Sequence, residues 1–340
     1  MNILITSAGR RDYLVKWFLE ALGEKGQIFV GNSHGISPCF TLTNNHILTP
    51  SIYDDQYVPF LMEFCEAHKI KAIVPLHDCD VEQLNLQKEK FSKRGINILG
   101  PTAQSSMICH DKWSTYKFLT EASIDTAVSF ISLEKSIRAI ELSQVSFPLI
   151  LKPRWGMGSI NILVAHDLIE LHHKHELLIK EIQSDPLFRT YVDEPRTSVI
   201  IQEKLNGQEY GLDVLNDFGG NPVCVVPKIK LSMRSGETDA AQIIEDPELK
   251  KLGSKIGALL GHSGNLDIDV FVDNDRTSIL ELNCRFGGGY PFSHVAGVNF
   301  PGCIVAWLLG EIPLKKWMTY KSGTIGVKGV SVAALKKHSD

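Results

Sequence analysis

Three oxygen-bearing side chains near the end of the chain have the spacing of a metal site. Glu281 and Asn283 are two residues apart in an apolar stretch, so both point to the same face of a predicted strand. Asp269 lies twelve residues earlier, on the strand that would pair with it as a hairpin. Such oxygens suit a hard cation held against phosphates, and we predict that these three residues bind Mg²⁺. A solvent-facing hairpin with ordinary charges is the alternative.

Positive side chains accompany this acidic set. Arg285 follows directly, and a guanidinium there can neutralise a transferring phosphoryl group. Lys152 ends an apolar strand and precedes a loop containing Gly156 and Gly158, whose backbone N–H groups could cradle phosphates. The loop is not a Walker A loop, because no G-K-[ST] opens a helix. An ordinary turn is the alternative interpretation of this loop.

Residues 200–214 form a third candidate, with the pattern strand, turn, strand. Backbone groups at 203–205 could hydrogen-bond an adenine, and Glu209 could bind ribose hydroxyls. Taken alone, the segment favours a plain β-hairpin. A cluster of His172, His173 and His175 is typical of a solvated helix face rather than of a metal site.

Composition limits the classes of protein to consider. The 340 residues are 44% hydrophobic and 22% charged with a net charge of −4, which indicates a globular chain and neither a nucleic-acid nor a membrane-surface binder. Seven cysteines are spread singly without a C-x-x-C pair, as expected of reduced thiols in the cytoplasm. The N-terminus enters an apolar run with no basic leader, so we expect no signal peptide. No apolar stretch is long enough to span a bilayer.

The elements that must position these side chains change in kind along the chain. In the first hundred residues short apolar strands alternate with helical stretches such as 12–22, 57–68 and 81–93, which predicts a parallel, doubly wound sheet. Later strands are joined by short polar turns, with 267–272 and 278–283 as one hairpin. The polar segment 184–197 is predicted to be a loop.

In this order the segments resemble the ATP-grasp superfamily. The likeness is closest to the ATP-binding modules of carbamoyl-phosphate synthase large chains and to their short, single-module carboxylate–amine ligase relatives. It covers nearly the whole chain and is carried by D-K-W-S-T-Y, K-P-R-W-G-M-G-S, E-K-L-N-G-Q-E-Y-G-L-D-V and E-L-N-C-R-F-G-G-G.

The resemblance implies an α/β fold in three parts. Residues 1–104 would form a Rossmann-like domain, 105–197 a small ATP lid subdomain, and 198–340 a C-terminal antiparallel sheet subdomain. ATP would bind between the last two parts.

The resemblance also implies roles for individual residues. Two basic residues would hold the ATP phosphates under a closing loop that runs from Gly156 to Ser159; they are Lys112 and Lys152. The adenine-facing hinge would be Glu203, Lys204 and Leu205, with Glu209 on the ribose. Charges near the γ-phosphate or the acceptor carboxylate would come from Lys228, Lys230 and Arg234, with Arg285 steadying the phosphoryl group.

Two positions depart from the usual pattern. The family's N-P-R is N-C-R here, which should be tolerated because Cys284 points away from its neighbours. Position 269 carries Asp where the synthases commonly have Gln, and Asp is the stronger Mg²⁺ ligand. The 340 residues contain no glutaminase domain and no second ATP module, so carbamoyl-phosphate synthesis itself is the less favoured alternative.

The activity implied is that of an ATP- and Mg²⁺-dependent ligase, with Mn²⁺ as a possible substitute. It would phosphorylate a small carboxylate and couple the acyl phosphate to an amine, releasing ADP. The alternatives are a carbamoyl-phosphate-forming enzyme that uses bicarbonate and ammonia, and a non-catalytic nucleotide-binding sensor. Expected partners are small molecules and a second copy of the chain in a homodimer. Strand-end segments 7–11 and 77–80 would face the acceptor. Arg10 or Arg11 could bind a substrate carboxylate, and an ordinary exposed surface arginine is the alternative.

Overall fold

Three separate β-sheets organise the chain. The computed structural model describes residues 1–156, 158, 160–184, 195–274 and 276–335. Among these residues the sheets have five, four and six strands. No helix in this part of the chain is both long and apolar enough to cross a membrane.

The first sheet is parallel, as the alternating pattern predicts. Its strands are Asn2–Thr6 (β1), Gln27–Asn32 (β2), His46–Leu48 (β3), Ile70–Pro75 (β4) and Asn97–Ile98 (β5). They lie in the order β3-β2-β1-β4-β5, and each neighbouring pair is parallel. Such a sheet needs cover on both faces, which explains the continuous buried runs in β1 and β4.

The helices of this region are Asp12–Leu22 (α1), Tyr57–Ala67 (α2), Asp78–Leu86 (α3) and Lys88–Ser92 (α4). The single helix expected over 81–93 is therefore wrong in detail, since it begins three residues earlier and breaks at Gln87. There the backbone leaves helical geometry, with φ −109° and ψ 7°. The early start places Asp78 in the first turn of α3, where a carboxylate is favoured by the helix dipole.

Two short helices lead into the second sheet, Ala103–His110 (α5) and Lys112–Glu121 (α6). Asp111 caps α6 by accepting a hydrogen bond from the Trp113 N–H at 3.1 Å. The same carboxylate pairs with Arg154 at 2.6 Å. These contacts fix the start of α6, where Lys112 is the first helical residue.

The second sheet is small and antiparallel. Its strands are Ser129–Phe130 (β6), Leu149–Pro153 (β7), Leu163–Ala165 (β8) and Val199–Glu203 (β9), in the order β6-β9-β7-β8. Its helices are Leu133–Glu141 (α7) and Leu168–Ser184 (α8). His175 of α8 is 2% exposed, so the prediction of a solvated histidine face is wrong for this residue.

Strand β9 lies in the small sheet, although a boundary after residue 197 would assign it to the C-terminal part. The division between these two sheets falls instead in the turn at 204–207, before the next strand. The three-part division of the chain stays a prediction. Of the segment predicted to be a loop, residues 185–194 lie outside the described residues, and Pro195–Thr197 forms a 3₁₀ turn.

The third sheet has six antiparallel strands. They are Gln208–Asn216 (β10), Pro222–Arg234 (β11), Glu237–Ile243 (β12), Gly264–Asp273 (β13), Arg276–Asn283 (β14) and Ile325–Val327 (β15), in the order β14-β13-β10-β11-β12-β15. Its helices are Pro247–Leu260 (α9), Tyr290–Val295 (α10) and Phe300–Leu308 (α11). The predicted hairpin of β13 and β14 is confirmed, with Asp269 opposite Glu281 and Asp267 opposite Asn283.

A shared apolar core joins the first and third sheets. Helix α1 contacts α11, and the Phe18 ring meets Phe286 edge to face at 6.0 Å between centroids. The carboxyl ends of β1 and β4 consequently face the end of the β13–β14 hairpin. This packing brings residues from distant parts of the sequence to one cavity.

The turn between β9 and β10 depends on one glycine. Gly207 has φ +94°, and a Cβ on it would lie 2.2 Å from the carbonyl oxygen of Val272. We expect Gly207→Ala to lower the stability of the protein by about 1–3 kcal/mol, because both the backbone and Val272 must shift. The measurement is the midpoint of urea unfolding. Gly35→Ala is the matched control, since a Cβ there meets no atom within 4 Å; equal midpoints for the two variants would contradict this account of the turn.

Candidate active site

The three sheets enclose a cavity of about 370 Å³. Its wall combines β7 of the small sheet, the faces of β10, β11, β13 and β14, and the strand-end loops of the parallel sheet. The charged side chains that line it are Arg11, Asp78, Lys112, Lys152, Glu209, Lys228, Lys230, Glu237, Asp267, Asp269, Glu281 and Arg285. So many charges close together in one partly open cavity are stable only if they are paired with each other or with a charged ligand.

The predicted metal ligands come together on the β13–β14 hairpin. Asp269, Glu281 and Asn283 all line the cavity. Burial alone would raise the pKa of Glu281, but the ammonium groups of Lys112 and Lys152 hold it below its usual value. Within the described residues no group of three or more His, Cys, Asp and Glu side chains is arranged as a ligand set. The candidate set is two carboxylates and one amide, which fits a hard cation that also takes oxygens from phosphate and water.

Lysines hold the two carboxylates. The Lys112 ammonium lies 3.1 Å from Glu281 and also donates to the Gly156 carbonyl. Lys230 donates to both Glu209 and Asp269, at 2.6 Å each. Each candidate metal carboxylate therefore has a cationic partner from another element.

Lys152 differs from these lysines. Its side chain is buried in β7, and it makes no hydrogen bond or ion pair within the described part of the chain. Burial lowers the pKa of this ammonium to about 8. Gly156 and Gly158 of the following loop also line the cavity, whereas Ser159 lies outside the described residues. An unpaired buried cation beside a glycine-bearing loop is suited to bind an anion.

Lys228 is anchored deeper in the sheet. Its ammonium bonds to Asp213, which also accepts a hydrogen bond from the Ser293 hydroxyl at 2.6 Å. Both members of the pair are almost wholly buried. Lys228 reaches the cavity wall beside Gly289, so it contributes charge to the wall while its head group is already paired.

Arg285 connects the hairpin to the parallel sheet. One of its terminal nitrogens donates to Asp78 at 2.9 Å and to the Asn283 amide oxygen at 3.2 Å. Its Nε–H is buried and has no partner among the described residues. Burial would raise the pKa of Asp78, but the Arg285 guanidinium lowers it to about 2. A rigidly held guanidinium with one unused N–H can donate a hydrogen bond to an anionic oxygen.

Cys284 confirms the expected direction of the middle residue in N-C-R. Its Sγ lies 2.8 Å from the Sγ of Cys109 in α5, away from the cavity. Both are free thiols, as are the other five cysteines.

Some predicted residues are not in this cavity. Arg234 is exposed, because the end of β11 extends beyond the covered part of its sheet. Its guanidinium pairs with Asp239 at 2.9 Å. The hinge residues Glu203, Lys204 and Leu205 line a neighbouring cavity of about 390 Å³, in which Glu203 pairs with Arg276. Arg11 lines the main cavity and donates to the Leu76 carbonyl, whereas the neighbouring Arg10 is exposed.

Sequence reasoning missed Asp267 and Glu237. Asp267 lies two residues before Asp269, so its place on the same strand face was available from the D-I-D pattern. Burial, with the nearby Asp269 and Asp213, raises the pKa of Asp267 to about 7. Glu237 follows the two-residue turn of Ser235 and Gly236, and no periodicity predicts that it faces a cavity.

Comparison with known proteins identifies the same kind of fold. Residues 3–99 match the family described as "PylC-like, N-terminal domain", and residues 196–332 match "ATP-grasp in the biosynthetic pathway with Ter operon". The arginine-specific carbamoyl phosphate synthase large chain of Bacillus subtilis is 24% identical over 62% of this chain and 20% of its own length. The D-alanine–D-alanine ligase of Thermotoga petrophila is 28% identical over 56% of this chain and 61% of its own. The chain thus spans less than two thirds of these relatives.

A solved structure agrees over almost the whole length. The biotin carboxylase domain of Hydrogenobacter thermophilus 2-oxoglutarate carboxylase, in complex with MgADP, ADP and bicarbonate, superposes with a TM-score of 0.74. It is 16% identical and covers 95% of this chain and 73% of its own. Family profiles, relatives and the solved structure agree that the chain has an ATP-grasp fold and is similar to the ATP-grasp superfamily.

Proposed function

We propose that this protein is an ATP- and Mg²⁺-dependent ligase. It transfers the γ-phosphoryl group of ATP to a small carboxylate and couples the resulting acyl phosphate to an amine, releasing ADP and phosphate. One observation carries the proposal: two candidate metal carboxylates and the cations that hold them share one cavity with a buried lysine that has no partner in the described chain.

The ion pairs of the cavity suggest how nucleotide and metal enter together. Metal-free ATP would bring its phosphates against Asp269 and Glu281, which repel them. Asp269 and Glu281 would hold Mg²⁺, which would supply positive charge against the phosphates. Lys112 and Lys230, which pair with these carboxylates here, would then be available to bind phosphate oxygens. The rearrangement exchanges one set of opposite-charge contacts for another, so buried charges need not be left unpaired.

The order of contacts along the cavity supports attack on the γ-phosphate. Glu209 lies at one end and is linked through Lys230 to Asp269. Arg285 lies at the other end, bonded to Asn283 and to Asp78. If Glu209 binds the ribose, the metal set lies beside the phosphates and Arg285 faces the terminal one. Catalysis then rests on positioning and on charge neutralisation of the transferred group.

The names of similar proteins are consistent with this chemistry. One relative is a D-alanine–D-alanine ligase, whose name describes the joining of two amino acids. The structural neighbour with MgADP also contains bicarbonate, a small carboxylate-like anion. A carbamoyl-phosphate-forming enzyme remains the second candidate because of the synthase relatives. A sensor without catalysis is disfavoured, since the candidate metal ligands and phosphate lysines are all present. A homodimer and a cytoplasmic location stay predictions.

The metal assignment is tested by Glu281→Gln. A panel of amino acid pairs, with ADP release as the readout, first identifies substrates for the unaltered enzyme. We expect the variant to lower kcat by about 10²–10³-fold, because an isosteric amide removes the charge that binds Mg²⁺. Glu248→Gln is the control, since that glutamate is exposed on α9. Turnover by Glu281→Gln equal to that of the control would exclude the site.

The acceptor end is tested by a pair of adjacent arginines. Arg11 lines the cavity and Arg10 is exposed, so the two alanine variants differ in position rather than in chemistry. We expect Arg11→Ala to raise the KM of a carboxylate substrate by about tenfold or more, the loss of a charge-assisted hydrogen bond. ATP affinity should be unchanged in both variants, and Arg10→Ala should leave both constants unchanged. A fall in ATP affinity for Arg11→Ala would show that this end of the cavity binds nucleotide instead.

A further inference from the structure

One wall of the cavity comes from the loop between β4 and α3. His77 and Asp78 lie at the carboxyl end of β4, and both line the cavity. Asp78 bonds to Arg285 at 2.9 Å. His77 therefore precedes Asp78, which holds Arg285. In the proposed reaction Arg285 faces the transferred phosphoryl group.

The imidazole of His77 has no hydrogen-bond partner among the described residues, and its Nδ1 is buried. A buried polar atom without a partner is costly and calls for an explanation. His175 also lacks partners, but it lies in the core of the small sheet beside α8. Among the described residues that line the cavity, His77 is the one histidine.

The surroundings of His77 keep its ring neutral. Burial lowers its pKa, the carboxylates of Asp78 and Asp80 act against this, and the guanidiniums of Arg11 and Arg285 lower it further. Neither carboxylate is free to bond the ring: Asp78 is taken by Arg285, and Asp80 accepts the hydroxyls of Ser7 and Tyr57 at 2.8 and 2.7 Å. A neutral imidazole with an unused nitrogen is a proton acceptor.

The proposed ligation requires such an acceptor. A primary amine in water at neutral pH is an ammonium ion, whose nitrogen has no lone pair to attack with. Amide formation must remove two protons from it. General bases typically contribute 10²–10⁴-fold to such steps, and a histidine is the commonest choice.

We propose that His77 accepts a proton from the attacking amine, which makes it a catalytic residue and makes the acceptor substrate a basic primary amine. The inference rests on the proposed ligase function. The amine nitrogen forms a bond to the acyl carbon, and the carbon–oxygen bond to the phosphoryl group breaks with its electron pair leaving on phosphate. One of the two protons lost goes to the imidazole, and the other leaves with the phosphate as its conjugate acid.

Other cavity groups are less suited to this role. Asp78 is committed to Arg285, and its lowered pKa makes it a poor base. Asp267 lies beside the candidate metal set and 3.6 Å from Arg285. Glu237 is mostly exposed and pairs with Lys328 at 3.3 Å.

Two small nucleophiles separate proton removal from phosphoryl transfer. Methylamine is protonated at neutral pH and needs a base, whereas hydroxylamine is largely unprotonated and attacks an acyl phosphate without one. Both are supplied at high concentration with ATP, Mg²⁺ and the carboxylate that gives the fastest ADP release. We expect His77→Asn to reduce N-methylamide formation by about 10²-fold or more while hydroxamate formation changes by about threefold or less.

His294→Asn is the matched control, because that ring stacks on Trp17 at 3.7 Å and lies outside the cavity. It should leave both products unchanged. Equal losses of amide and hydroxamate in His77→Asn would overturn the role of His77, and so would a wild-type enzyme that forms hydroxamate but no N-methylamide. Absence of hydroxamate from the wild-type enzyme would instead overturn the proposed function, and the inference with it.

Discussion

Lys112 and Lys230 pair with the carboxylates of Glu281 and Asp269 in the cavity, and all four side chains are largely shielded from water. Removing either member of such a pair leaves an uncompensated charge, which is strongly destabilising in a protein interior. The four residues come from α6, β11, β13 and β14, so these elements must meet in one arrangement for the charges to be paired. In the proposed function the same requirement favours one kind of ligand. The phosphates of ATP would pair with the lysines, and the bound metal would pair with the carboxylates.

The parallel sheet also contributes an ion pair to the cavity, between residues that are far apart in the sequence. Asp78 and Arg285 are 207 positions apart in the sequence and bond at 2.9 Å. The apolar contact of α1 with α11 places these two residues close enough to pair. The end of the cavity that would receive the acceptor is consequently built from two sheets, and its shape depends on how they pack.

Much of the site was predictable from local pattern. Period-two alternation in β14 puts Glu281 and Asn283 on one face, and the short polar turn before it predicts the pairing with β13 that aligns Asp269. Alternating strands and helices predict the parallel sheet. Sequence patterns of this kind predict contacts within one element or between two elements that are adjacent in the sequence. They do not indicate that β9 joins the small sheet, since its run of buried residues fits the interior of either sheet. Nor do they show that Arg234 lies past the covered part of β11, or that Asp78 meets Arg285.

In the proposed reaction the γ-phosphoryl group moves from ATP to the carboxylate substrate before the amide bond forms. An isotope label follows this step directly. The enzyme is supplied with Mg²⁺, ATP, the amine and a carboxylate that carries ¹⁸O in both carboxyl oxygens, and the products are analysed by mass spectrometry. We expect ADP together with inorganic phosphate that contains one ¹⁸O atom from the substrate. Labelled AMP with pyrophosphate, or phosphate without label, would contradict it.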